Sequence, residues 1–251
     1  MAERVTEVAP GVFACRGTEV NWYLMRDGAD LTLIDTGYPG DVDRVTASIR
    51  AIDARPEDVR AVLLTHAHVD HMGAANHLHD RYGVPVYTDA TEAGHARREF
   101  LEQANALDVA KNVWRPGLWP WLARVLRVGV TDKVSIPSAE RFPNDGPLDL
   151  PGAPVPVPTR GHTSGHTAYL LAAVGAIVTG DELVTGHAVL RRTGPQLLPA
   201  FFNHGDPRAA LAELAKQDAE LILPGHGEPL RRPIAEAVGE ARERAGIARR
   251  S

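Results

Sequence analysis

Cysteine is almost missing from this chain of 251 residues. Cys15 stands alone, so neither an internal disulfide nor a cysteine-built zinc site is available. Set in "VFACRG", a strand-like stretch, it reads as a small core residue. No apolar run approaches the roughly 18 residues that a membrane span requires. The opening "MAERVTEVAPGVF" carries early acids where a secretion signal has a basic region and an apolar core. No membrane partner and a cytoplasmic location are therefore expected. An excess of positive charge is lacking too: 27 basic residues face 32 acidic ones, a net charge of −5. The basic residues are dispersed except for arginines near the C-terminus, so no footprint for nucleic acid is present. Repeats of fixed period, low-complexity tracts and linkers are also absent. What is there is an ordinary globular composition, 44% hydrophobic and 24% charged, on a chain long enough for one substantial core. A single domain over 1–251 is expected.

The first third reads as short strands, "GVFACRG", "VNWYLMRDG" and "LTLIDTG", with Asp27-Gly28 turning the second into the third. Val42, Val45, Ile49 and Ile52 then recur at helical spacing behind Asp41, a plausible N-cap. The strand "VRAVLL", the helix "GAANHLHDRYG" and the strand "VPVY" follow, an alternation that argues for α/β layers. From about 90 to 135 the pattern turns helical, as if inserted, and "TEAGHARREFLEQANALDVAKN" reads as one long helix. Proline-rich residues 135–160 suit edge strands and turns. Strands "AYLLAA", "AIVTGD" and "ELIL" then bracket a helix capped by Asp206 with Pro207 at its first position, and "RRPIAEAVGEARERAG" closes the chain as a helix.

Directly after "VRAVLL" stands "THAHVDH". His66 and His68 lie two apart at a strand end, so in extended chain both side chains face one way and can grip one metal. If the chain turns there, Asp70 and His71 are redirected to a neighbouring point that suits a second metal. One loop cannot complete two shells. Three further strand ends leading into glycine-containing loops offer what is missing: "TRGHTSGH" with His162 and His166, "AIVTGDEL" with Asp181 and "LILPGHGEP" with His226. Glycine lets the backbone turn and approach a crowded site, and strand ends at one edge of an α/β scaffold are where ligands usually bind. Histidines 77, 79, 95, 187 and 204 have no such context and read as packed or solvated residues.

"LIDTG", "HAHVDH", "GHTSGH", "TGDEL" and "LPGHGEP", in this order from residue 31 to 229, resemble the five motifs of the metallo-β-lactamase-fold superfamily. The resemblance implies a four-layer αββα sandwich with a binuclear metal site at the edge of its two sheets. By position, His66, His68 and His162 would bind the first ion and Asp70, His71 and His226 the second, with Asp181 bridging them. Asp35 and His166 would support the ligands from behind. Two zinc ions sharing a bridging hydroxide imply hydrolysis. Such a centre would supply a hydroxide for attack on an activated acyl carbon of a lactone, ester or thioester, with Asp70 or a metal expected to help the leaving group depart. "TGD" is similar to the glyoxalase II-like and lactonase branches and unlike the true β-lactamases. The 25 residues after His226 are few for a glutathione-binding extension.

Alternatives on the same ligand set are an iron-dependent persulfide dioxygenase using the first position alone, iron or manganese in place of zinc, and weak β-lactam turnover. The partner expected is a small molecule. Trp119 and Trp121, with Phe201 and Phe202, are expected to wall an apolar pocket. For the insertion, which also carries Trp114, a lid, a homodimer contact and plain packing are all open.

Overall fold

The computed structural model describes residues 5–247 except 105 and 116. Strands β1 (Val5–Ala9), β2 (Val12–Arg16), β3 (Asn21–Asp27), β4 (Asp30–Ile34), β5 (Val59–Leu63), β6 (Val86–Thr88) and β7 (Ala139–Arg141) make a seven-stranded sheet in sequence order. β1 to β4 pair antiparallel and β4 to β7 parallel. β8 (Val155–Pro158), β9 (Thr167–Leu171), β10 (Ala176–Gly180), β11 (Leu221–Pro224) and β12 (Leu230–Arg231) make a second sheet in the order β12-β11-β10-β9-β8, parallel only between β10 and β11. Helices α1 (Val42–Arg50), α2 (Val69–Met72), α3 (Ala75–Tyr82), α4 (Ala90–Ala96), α5 (Ala106–Lys111), α6 (Leu118–Val125), α7 (Pro207–Leu214) and α8 (Ile234–Arg244) complete the described elements.

The central strands are apolar at consecutive positions, so both of their faces need cover. Trp22, Leu24, Leu33 and Val62 pack against Val45 and Ile49 of α1 and Ala75 and Leu78 of α3. Their neighbours Tyr23, Met25, Ile34 and Leu63 point the opposite way, onto Tyr169, Leu171, Val178, Leu221 and Leu223 of the second sheet. The far face of that sheet, with Ala168, Ile177 and Ile222, is covered by Leu211 and Leu214 of α7 and Ala237, Val238 and Ala241 of α8. Strand parity thus builds four layers, αββα. A shift of one residue in β10 or β11 would exchange the two cores, which pins their register.

Several local expectations meet the structure directly. Gly28 turns β3 into β4 with φ +58°, and Asp206 caps α7 by accepting from Arg208 N at 2.9 Å. β7 and β8, from the proline-rich region, each lie at a sheet edge. Cys15 is buried, and burial pushes its thiol up to about 12. Two expectations need correction. Asp41 stands at the start of α1, but its side chain makes no cap there. Its buried carboxylate instead accepts from Thr18 Oγ1, Tyr38 N and Arg44 Nη1, tying the loop before β3 to α1. The long helix from residue 91 is broken: α4 ends at Ala96, and Arg98 adopts φ +63°. The cause lies in the site below.

Candidate metal centre

Chain direction gathers the site. β8 runs with β10 and β11, because β9 is antiparallel to both β8 and β10. The residues that follow β4, β5, β8, β10 and β11 include Asp35, His66, His162, Asp181 and His226. These five segments converge at one edge of the two sheets, the position where α/β folds bind ligands.

Three groups of side chains there bring donor atoms within 4.8 Å of one another: His66, His68 and His162; His66, His71 and Asp181; and Asp70, His71 and His226. His68 Nδ1 lies 3.0 Å from His162 Nε2. Asp181 reaches His226 Nε2 at 3.0 Å, His71 Nε2 at 3.4 Å and His162 Nε2 at 3.7 Å, so it stands between the outer two groups. Asp70 Oδ2 lies 3.5 Å from His226 Nε2 and 3.8 Å from His71 Nε2. The turn into α2 begins immediately after His68, so His66 and His68 reach the site from extended chain and Asp70 and His71 from the first turn of α2, where His71 also joins the His66 group.

Each imidazole is fixed through the nitrogen that faces away from the cluster. His66 Nδ1 meets Thr65 Oγ1 at 3.0 Å, and His68 Nε2 meets the Glu102 carbonyl at 2.6 Å. His162 Nδ1 meets Asn203 Oδ1 at 3.0 Å, His226 Nδ1 the Glu19 carbonyl at 2.5 Å, and His71 Nδ1 the Asp35 carboxylate at 2.8 Å. A ring that donates outward turns a lone pair inward, the arrangement that supports a metal ligand. His66 Nε2, His71 Nε2 and Asp181 Oδ1 are buried there without any hydrogen-bond partner. Such atoms cost stability unless something satisfies them. Two imidazole nitrogens and a carboxylate oxygen buried in one space with no hydrogen-bond partner fit a cation.

The electrostatics point the same way. Burial holds His66, His68 and His162 below the ordinary histidine value, which keeps them neutral and able to ligate. Burial also pushes His71 and His226 down, but carboxylates outweigh it and hold both above that value. Asp181, Asp35 and Asp70 act on His71, and Asp181 and Asp70 on His226. Burial raises Asp181, yet His226 and His71 leave it well below the usual carboxylate range. This half of the site has a negative field that attracts positive charge.

Asp35 sits at φ +61°. From that left-handed conformation its buried carboxylate accepts from Thr65 N and Thr65 Oγ1, both at 2.8 Å, as well as from His71. His166 faces Thr159 Oγ1 at 2.8 Å through Nδ1 and accepts from Asp181 N at 3.3 Å through Nε2. Burial pushes it down to about 3, so it is neutral and holds the backbone of Asp181. Gly225 supplies close approach: a Cβ there would lie 2.2 Å from Asp181 Oδ1 and 2.8 Å from His71 Cε1.

A cavity of about 310 Å³ opens beside the cluster, lined by Tyr38, Val69, Trp121, Leu122, Leu198 and Phe202 together with His68, Asp70, Asp181, His187 and His226. Trp121 and Phe202, two of the four aromatic residues expected at an apolar pocket, line this cavity. Trp119 and Phe201 do not. Along α6 the buried side chains are Leu118, Trp121 and Val125, and Trp119 is rotated away from that face and 60% exposed. Phe201 packs against Phe202, with ring centroids 4.2 Å apart, and is not part of the lining.

Several residues that hold the site had no signal in the sequence. Buried Glu92 of α4 accepts from Ala67 N between His66 and His68, and from Thr163 Oγ1 and Gly165 N beside His162. It also meets His95 Nδ1 at 2.8 Å, and His95 Nε2 accepts from Glu102 N. Glu102 in turn offers its carbonyl to His68 and its carboxylate to Ser164 N. Bringing Glu102 back to the site requires the chain to leave the helix after Ala96. His77, His79, His95, His187 and His204 belong to none of the three donor groups. His187 packs 4.8 Å from the His226 ring and is held at about 3 by burial.

The model of the metallo-beta-lactamase superfamily matches residues 15–226, and the chain belongs to that superfamily. Its relatives include the probable metallo-hydrolase YflN of Bacillus subtilis, 24% identical over 89% of this chain and 86% of the relative. An uncharacterized protein of Mycobacterium leprae is 29% identical over 89% of this chain and 91% of its own length. Among solved structures, a metallo-beta-lactamase from Cronobacter sakazakii superposes with a TM-score of 0.67 at 20% identity, covering 98% of this chain and 96% of that one. The Rm3 metallo-beta-lactamase gives 0.69 at 15% identity, covering 98% and 93%. At those identities they share the fold.

Proposed function

We propose that the chain is a binuclear metal-dependent hydrolase of neutral, apolar acyl compounds, namely lactones, esters or thioesters. The observation that carries this reading is the ring of imidazoles anchored from outside, with unsatisfied nitrogens and one carboxylate oxygen turned inward. His66, His68 and His162 would hold one zinc ion, and Asp70, His71 and His226 the other, with Asp181 between them. Bound there, the two ions would supply water that deprotonates near neutral pH and a Lewis acid for the acyl oxygen.

The chain's own groups do the rest. Asp70 lies on the cavity wall with 16% of its side chain exposed, placed to take up and return the proton that the leaving group needs. Burial, reinforced by Asp70 and Asp181, holds the Tyr38 phenol well above its ordinary value, so it faces the cavity as a donor at neutral pH. Val69, Leu122, Leu198 and Phe202 exclude water around the acyl group. Among the described residues lining the cavity there is no lysine or arginine. This disfavours substrates that carry a carboxylate or phosphate and supports the neutral class. The name of the Bacillus subtilis relative, a probable metallo-hydrolase, agrees with the reaction type.

Elemental analysis of purified protein, followed by a panel of lactones, esters, thioesters, phosphodiesters and β-lactams, tests the reading. Two equivalents of zinc and preferential turnover of neutral acyl substrates are expected. His66→Ala should lose metal and lower kcat/KM by more than the roughly 10- to 100-fold typical of losing a supporting residue. Full activity in that variant, or a fully loaded protein that hydrolyses nothing in the panel, would sink the proposal.

A further inference from the structure

Every large hydrophobic side chain exposed among the described residues falls between positions 100 and 126. They include Phe100, Leu101, Val113, Trp114, Trp119 and Leu126, with Trp114 62% and Trp119 60% exposed. Over a slightly longer stretch the charge balance also turns basic, with Arg124 paired to Glu19 at 2.5 Å. Residues 100–133 carry five basic and three acidic side chains, whereas the whole chain carries 27 and 32. Of the three acids, Glu102 turns its carboxylate inward to Ser164 N. Lys111, Arg127 and Lys133 are exposed, and Arg115 lies over the Trp114 ring at 5.0 Å. The same segment supplies Val109, Trp121, Leu122 and Val130 to the cavity beside the metal centre.

We propose that this face docks peripherally on an anionic phospholipid bilayer. Tryptophan and leucine beside lysine and arginine suit the boundary between acyl chains and anionic headgroups, where the rings enter and the cations stay at the surface. The remaining surface is acidic on balance, so an anionic membrane attracts this face and repels the others. A second copy of the chain fits less well. A head-to-tail contact needs another exposed apolar surface to receive the patch, and among the described residues no other large hydrophobic side chain is exposed. A two-fold contact through the patch brings the same surplus of basic side chains from both copies into one interface. The expectation of no membrane partner rests on the lack of a spanning run, which a docked face does not require. Because the cavity walls belong to the docking segment, an apolar substrate dissolved in lipid would meet the opening directly.

Co-sedimentation of the full chain with phosphatidylcholine vesicles, with and without phosphatidylglycerol, is the test, with tryptophan emission and sedimentation velocity read alongside. The wild type should bind phosphatidylglycerol vesicles, shift its emission to the blue and detach as salt screens the charges. Lys111→Gln with Arg127→Gln should lower partitioning by roughly thirtyfold. Trp114→Ser with Trp119→Ser should abolish the emission shift. Both double variants should keep the wild-type circular dichroism. The proposal is overturned if the wild type stays in the supernatant with anionic vesicles, if the variants bind as well as it does, or if it is a dimer that the tryptophan variant dissociates. None of these outcomes depends on what the metal centre hydrolyses.

Discussion

Asp35 shows how much one side chain carries at this site. It accepts two hydrogen bonds from Thr65 and a third from His71 Nδ1, and so sets both the loop and the tautomer of a proposed ligand. An asparagine cannot do this, because its amide group would place donors against donors. Asp35→Asn should therefore weaken the ion held by His71 by about 10- to 100-fold in chelator competition, with the His66 group less affected. An equal loss at both positions would remove Asp35 from this role. The position of Asp35 was legible in "LIDTG", as were the donors of the four later motifs. The outward partners of those donors were not, since two of them are main-chain carbonyls, of Glu19 and Glu102, which carry no residue-specific mark. Trp119 failed for a related reason. A tryptophan near a pocket in sequence turns toward it or away according to helix phase, and Leu118, Trp121 and Val125 take the inward face of α6.

At the scale of elements, α4 and the irregular chain after it act as a clamp on two loops. Glu92 reaches the backbone between His66 and His68 and the loop after His162, which come from different sheets. Glu92→Gln keeps the volume but leaves a buried donor facing another donor, at a cost of about 1–3 kcal/mol in urea unfolding of the metal-loaded protein. The same change should loosen the ion held by His66, His68 and His162 more than its neighbour. A stability loss with both affinities unchanged would mean that Glu92 only packs. In the sequence this acid lies within a helical run rich in charge, where the ordinary expectation is a solvated face. The helix after Thr91 was overextended for the same reason. Local propensity favours continuation through residues 97–102, and the tertiary contacts of Glu102 with His68 and Ser164 override it.

Across the whole molecule, the burial of so many imidazoles makes stability depend on pH. His66, His68, His162, His166 and His187 are all held below the ordinary histidine value, the last two at about 3. Their contribution is fully present above the unfolded value of about 6.5 and is lost as pH falls from there toward the folded values, because the unfolded chain takes up protons that the folded chain refuses. His71 and His226 are raised and act in the opposite sense, as do the carboxyls of Asp35 and Glu182, which burial raises, so the five neutral rings outnumber four opposing groups. Metal-free protein should thus have a lower urea midpoint at pH 5 than at pH 7; an unchanged or higher midpoint would contradict the burial of these rings. The sequence by itself determined the alternation of strands and helices and the glycine-flanked strand ends that carry the seven proposed ligands, because these are local and leave a periodic record; the four-layer order and the assignment of each ligand were implied only by the resemblance of its motifs. Only the tertiary structure decided which nitrogen of each ring faces inward, which acids are buried behind the ligands, and which apolar residues of the inserted segment stay exposed. Those features arise from contacts between segments far apart in the chain, and no local pattern encodes them.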